Sequence, residues 1–90
     1  MRINGAVQAK SDRHAYKILQ DLLNDYVLDF FEVDGGTTNI SDMDANCDAY
    51  VDREGYLTFV EDIPGDKLST LVYDMPQGYA LYTFEADYAR

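Results

Sequence analysis

The chain holds little with which to build a catalytic centre or to staple itself shut. Its 90 residues include one cysteine (Cys47), one histidine (His14), two prolines and seven basic side chains. A lone cysteine excludes an internal disulfide and fits a reducing compartment. One cysteine and one histidine together fall short of the ligand set that the common zinc sites require. No serine sits in a G-x-S-x-G turn, and Gly35-Gly36 is a turn signal without the rest of a phosphate-cradling loop. No apolar run reaches the roughly 18 residues of a membrane span. The opening Met1-Arg2-Ile3-Asn4-Gly5 lacks the apolar stretch of a signal peptide, so a cytoplasmic location is expected. No cofactor, no metal and no enzymatic activity are expected of such a residue set.

What the chain has in excess is carboxylate. Seventeen acids against seven bases leave a net charge of −10. Nucleic-acid backbones and anionic membrane surfaces both select Lys and Arg, so neither is a fitting direct ligand. A hydrophobic fraction of 47% is ample for a core, and the length suits one domain spanning residues 1–90. The acids are not evenly spread. Residues 18–52 carry nine (Asp21, Asp25, Asp29, Glu32, Asp34, Asp42, Asp44, Asp48 and Asp52) and no base, whereas residues 1–17 are net basic. Thirteen of the seventeen are Asp, the poorer helix former, which points to carboxylates held close to the backbone rather than to a generic wet surface.

Residues 11–32 read as one amphipathic helix, with Ser11 as N-cap and Asp12 in its first turn. At 100° per residue, Ile18, Leu22, Ala15, Tyr26, Leu19, Phe30, Leu23, Tyr16 and Val27 fill one half of the wheel. Asp21, Asp25, Asp29 and Glu32 fill a narrow arc beside it. The rival reading ends the helix near Asn24-Asp25 and makes 26–33 a strand, with Leu28 and Phe31 in its favour. Residues 33–46 are loop by composition, with one helical turn capped by Ser41 and Asp44. Two hairpins follow. Cys47–Asp52 and Tyr56–Glu61 flank Arg53-Glu54-Gly55, setting Val51 opposite Leu57 and Ala49 opposite Phe59. Leu68–Asp74 and Tyr79–Glu85 flank Met75-Pro76-Gln77-Gly78, one face carrying Leu68, Val72 and Leu81. The first ten residues add a possible strand. The expected fold is therefore α+β, one long amphipathic helix packed on an antiparallel sheet of two β-hairpins.

Two patterns point to binding. On a continuous helix Asp21, Asp25, Asp29 and Glu32 form one stripe, each like-charged pair costing roughly 0.2–0.5 kcal/mol. They lie toward the C-terminal end, where the helix dipole disfavours them. Tyr50 and Tyr56 fall on the acidic face of the first hairpin, beside Asp48 and Asp52, and tyrosine is common at binding hot spots. With Asp42 and Asp44 these ten residues are the candidate partner-binding set. Asp42-x-Asp44-x-Asn46 opens like an EF-hand calcium loop, but Cys47 stands where the turn needs Gly and Arg53 where the bidentate Glu belongs. A solvated acidic segment is the simpler reading.

In size, in a charge of −10, in the Asp21/Asp25/Asp29/Glu32 stripe and in lacking a catalytic set, the chain resembles the small acidic inhibitors that phages use against host defence, the DNA-mimic antirestriction and anti-CRISPR proteins. That resemblance implies carboxylates standing in for phosphates in the nucleic-acid site of a basic protein, a CRISPR effector or a restriction enzyme. The alternative is a toxin-immunity or adaptor-type protein on a folded cationic partner.

Overall fold

Ser11 does cap a helix, but that helix stops half-way along the expected span. In the computed structural model, which describes residues 1–89 apart from the side chain of Val72, strand β1 (Arg2–Ala9) leads into helix α1 (Asp12–Asn24). The Ser11 side chain accepts a hydrogen bond from the His14 N–H. At the other end the Tyr26 N–H donates to the Leu23 carbonyl and the Val27 N–H to the Leu22 carbonyl, with Tyr26 at φ 62°. This is a Schellman closure, in which the left-handed residue turns the chain out of the helix. Val72, placed on a strand face by the hairpin reading, has its side chain outside the described residues, as has the whole of Arg90.

After the closure, strand β2 (Leu28–Thr38) runs out along the sheet, followed by helix α2 (Ile40–Asn46), short strands β3 (Ala49–Val51) and β4 (Leu57–Phe59), a single 3-10 turn, helix α3 (Gly65–Tyr73) and strand β5 (Ala80–Tyr88). The sheet order is β2-β5-β1-β3-β4, with β1 and β3 parallel and the other neighbours antiparallel. The long helix on an all-antiparallel, two-hairpin sheet is thereby overturned: the fold is α+β, with three helices and a mixed five-stranded sheet.

Each departure has a local cause. The run Leu28-Asp29-Phe30-Phe31-Glu32-Val33 satisfies both a helical and a strand period. A bulge between Leu28 and Phe30 then sets Leu28, Phe31 and Val33 toward α1 and Phe30 and Glu32 to the opposite face. Leu68, Leu71 and Met75 are spaced to share one helical face and pack into a single cluster, so 65–73 coils where a hairpin strand was expected. Pro64 stands before the first residue of α3, where the lost N–H has no helical partner in any case. The turn at 75–78 is real, with Gly78 at φ 91°, but it joins a helix to a strand. Asn39, not Ser41, caps α2, its side chain accepting from the Asp42 N–H.

The first hairpin stands as expected: Ala49 pairs with Phe59 and Val51 with Leu57, and Gly55 sits at φ 91°. The N-terminal strand is also present, as the central strand of the sheet.

Both faces of the sheet are covered in part. On one, Ala15, Ile18, Leu19 and Leu22 of α1 meet Ile3, Val7, Val51 and Phe84. Burying each of the three larger α1 aliphatics contributes roughly 1.5–3 kcal/mol. On the other, Met43 of α2 and Leu68 of α3 pack on Ala6, Tyr50 and Leu81. Tyr16 and Tyr26, which the helical wheel put in the core, are 55% and 85% exposed. Gly5 is required by space: a Cβ there would lie 2.3 Å from Cζ of Phe84, its cross-strand partner.

Candidate functional site

Helices α2 and α3 cover only one end of their face of the sheet, and the uncovered end is where acids gather. Cross-strand register puts Phe30, Asp87 and Arg2 in one row and Glu32, Glu85 and Asn4 in the next. Side chains in such rows sit about 5 Å apart across strands and about 7 Å apart along them. Glu32 and Glu85 therefore face each other directly, a like-charge pairing that destabilises a sheet. Arg2 answers part of this charge. Its Nε lies 2.6 Å from Glu85 Oε1, its Nη1 3.9 Å from Asp87 Oδ1, and its guanidinium 5.6 Å from the Phe30 ring centre. The hydrogen bond and charge of Glu85 hold the Arg2 guanidinium more firmly protonated than usual, with smaller help from Asp87 and Glu32. Among the described residues, Glu85 and Asp87 are the only carboxylates in an ion pair.

Further acids extend the array beside Cys47. Asp48 follows the end of α2 and is tied to β1, its side chain accepting from the Asn4 N–H at 2.9 Å while its own N–H donates to the Asn4 carbonyl. A hollow of about 430 Å³ between β1, β2, β5 and α2 is lined by Asp34, Asp42, Cys47 and Thr83 among others. Burial, with the charges of Asp48, Asp42 and Asp34, pushes the Cys47 thiol above its ordinary value, which favours the protonated thiol.

The ten residues singled out in the sequence divide. Asp42, Asp48 and Glu32 join the array. Asp44, exposed on α2, lines the neighbouring hollow of about 690 Å³ with Arg2, Cys47 and Asp48. Asp21, Asp25 and Asp29 are exposed but form no stripe, because they lie on α1, on its C-cap and on the bulge of β2 respectively. Asp52 spends its carboxylate on the hairpin loop, accepting from the N–H groups of Glu54 and Tyr56. Tyr56 is exposed, whereas Tyr50 is 4% exposed beneath α2 and α3. Burial pushes the Tyr50 phenol up to about 12, Asp52 adding to the shift and Arg53 opposing it.

Asp34, Glu85 and Asp87 were not among those ten. The signal for the latter two was present: residues 82–88 alternate, with Phe84 and Ala86 buried and Glu85 and Asp87 following each in turn.

His14 Nδ1 accepts the Lys10 N–H at 3.0 Å, and the His14 ring lies edge-on to Tyr79. The calcium-like Asp42-x-Asp44-x-Asn46 is wound into α2, and among the described residues no three His, Cys, Asp or Glu side chains converge as metal ligands. No helix among them is long and apolar enough to cross a membrane. Compared with protein-family models, curated proteins and solved structures, the chain finds no match.

Proposed function

We propose that this chain is an acidic binding protein that inhibits a basic, nucleic-acid-handling protein of the host cytoplasm, a CRISPR effector or restriction enzyme, by occupying its nucleic-acid site. The observation that carries the reading is the open end of the sheet, where Glu32, Glu85 and Asp87 surround one basic side chain, Arg2, and Asp34, Asp42 and Asp48 gather around the neighbouring Cys47. A fold selected for stability alone gains nothing by setting Glu32 against Glu85. A rigid sheet also holds its carboxylates at fixed separations, so little side-chain and backbone freedom is lost on meeting a rigid row of Lys and Arg. Each nucleic-acid strand carries one phosphate per about 3.4 Å of rise on a winding backbone, so through-space separations exceed that rise and are of the array's order.

The test uses purified CRISPR effectors and restriction enzymes, with DNA cleavage as readout. An inhibited target should lose the protein as salt rises and should release it to excess duplex DNA. Reversing Glu32, Asp34 and Asp42 to Lys, all exposed and none in an ion pair, should abolish inhibition with the circular dichroism spectrum unchanged. A target that is bound but not released by DNA would favour the immunity or adaptor type of partner. Undiminished inhibition by the triple variant would refute the acidic face as the contact surface.

A further inference from the structure

Strand β2 lies at one edge of the sheet, with β5 on its inner side only. Outside that ladder, no main-chain hydrogen bond among the described residues involves positions 28–38. Alternate N–H and C=O groups along this edge therefore face solvent, a template for another strand. The opposite edge, β4, is three residues long, whereas β2 is regular over Phe30–Val33 and resumes at Thr37 and Thr38 beyond an irregularity at 34–36, so the template it offers a partner is centred on Phe30–Val33.

Beside the β2 edge runs a groove of about 640 Å³ between β2 and the first turns of α1, lined by Arg13, Tyr16, Phe31, Glu32 and Val33. Tyr16 is 55% exposed, yet its ring meets Phe31 edge-on with centroids 4.9 Å apart. The two faces flanking the edge differ in chemistry. Toward α1 it offers Tyr16, Phe31 and Val33; on the other side it offers Phe30 and Glu32, with Asp34 next along the strand.

The geometry points to β2 as a strand-addition site for an extended segment of a partner protein in which basic and apolar residues alternate. The segment's main chain continues the sheet past β2. Its apolar side chains enter the groove over Tyr16, Phe31 and Val33, and its Lys or Arg side chains lie beside Glu32 and Asp34. Backbone bonds supply affinity in such an arrangement and the alternate side chains supply the choice of partner. Charge decides against a second copy as the occupant. Two β2 edges paired antiparallel would bring Glu32 and Asp34 of one chain alongside Asp34 and Glu32 of the other, and each chain already carries −10. This inference goes beyond the function proposed above, since it needs no nucleic-acid site in the partner.

The probe is a short acetylated and amidated peptide alternating lysine and valine, titrated into the whole protein. Binding is followed by fluorescence anisotropy, and the contact is mapped by amide hydrogen exchange. Exchange should slow at residues 29–34, and Tyr16→Ala should weaken binding about tenfold, as loss of an aromatic anchor does. The same peptide N-methylated at alternate residues, which keeps its charge and loses the N–H groups that would pair with β2, should weaken by at least as much. Equal binding of the N-methylated peptide would show mere charge attraction and overturn the proposal. Protection centred on Cys47 and Asp48 would do the same, as would a dimer in sedimentation whose β2 amides are already protected. Duplex DNA competition tests the nucleic-acid reading separately and leaves this result untouched.

Discussion

Replacing Tyr26 by glycine should stabilise the protein. Tyr26 is the only described non-glycine residue at positive φ, at 62°, and it occupies the position in the helix closure where glycine is usual. A Cβ in the left-handed region costs about 1–2 kcal/mol. The glycine variant removes that cost but gains freedom in the unfolded chain, which takes back about 0.4–1 kcal/mol. Little burial is lost, because the tyrosine is 85% exposed. The balance is a gain of about 0.5–1 kcal/mol, or about 2–8 °C in Tm for a chain of this size. Thermal melts followed by circular dichroism measure it, with Tyr26→Ala as the control that removes the ring and keeps the Cβ. Tyr26→Ala should stay near the parent. If Tyr26→Gly melts no higher than Tyr26→Ala, the cost assigned to the left-handed Cβ is wrong and the closure is relaxed as it stands.

Gly5→Ala should destabilise by about 1–3 kcal/mol, since the new methyl would meet the ring of Phe84, which is 1% exposed and has nowhere to withdraw. Pairing it with Phe84→Leu should give a loss smaller than the sum of the two single variants, read from urea unfolding midpoints. Tyr50 sets an alkaline limit. Its phenol titrates near 12 when folded, above the ordinary 10, so between these values the folded state holds more protons than the unfolded one and stability falls as pH rises. Tm should drop across pH 10 to 12, and Tyr50→Phe should flatten that drop after correction for its lower starting stability.

Where the chain sequence carried unambiguous local chemistry, the structure follows it. Ser11 ahead of Asp12 starts a helix, and Arg53-Glu54-Gly55 between two alternating runs forms a hairpin in the register that the apolar pairs demand. The stretch 25–33 was ambiguous because its apolar residues suit either period, and the deciding element was Tyr26, whose type gives no notice of a left-handed backbone. Likewise 65–73 has enough β-branched and alternating character to pass for a strand until a sheet face is available for Leu68 and Leu71 to cover. The candidate site was legible as a charge-rich region but not as a surface. Glu32 and Glu85 are 53 positions apart in the chain, and only the pairing of β2 with β5 brings them side by side.

That pairing also shapes how the molecule assembles. Strand β5, residues 80–88, lies between β1 and β2, which have no bonds to each other. A chain emerging from the ribosome can form α1 and the β3–β4 hairpin early, both being local. The sheet stays divided until β5 threads into the middle, closing contacts across some eighty residues on the β1 side. Folding should thus be late and abrupt, with the exposed edges of β1 and β2 vulnerable to misassociation until the final strand arrives.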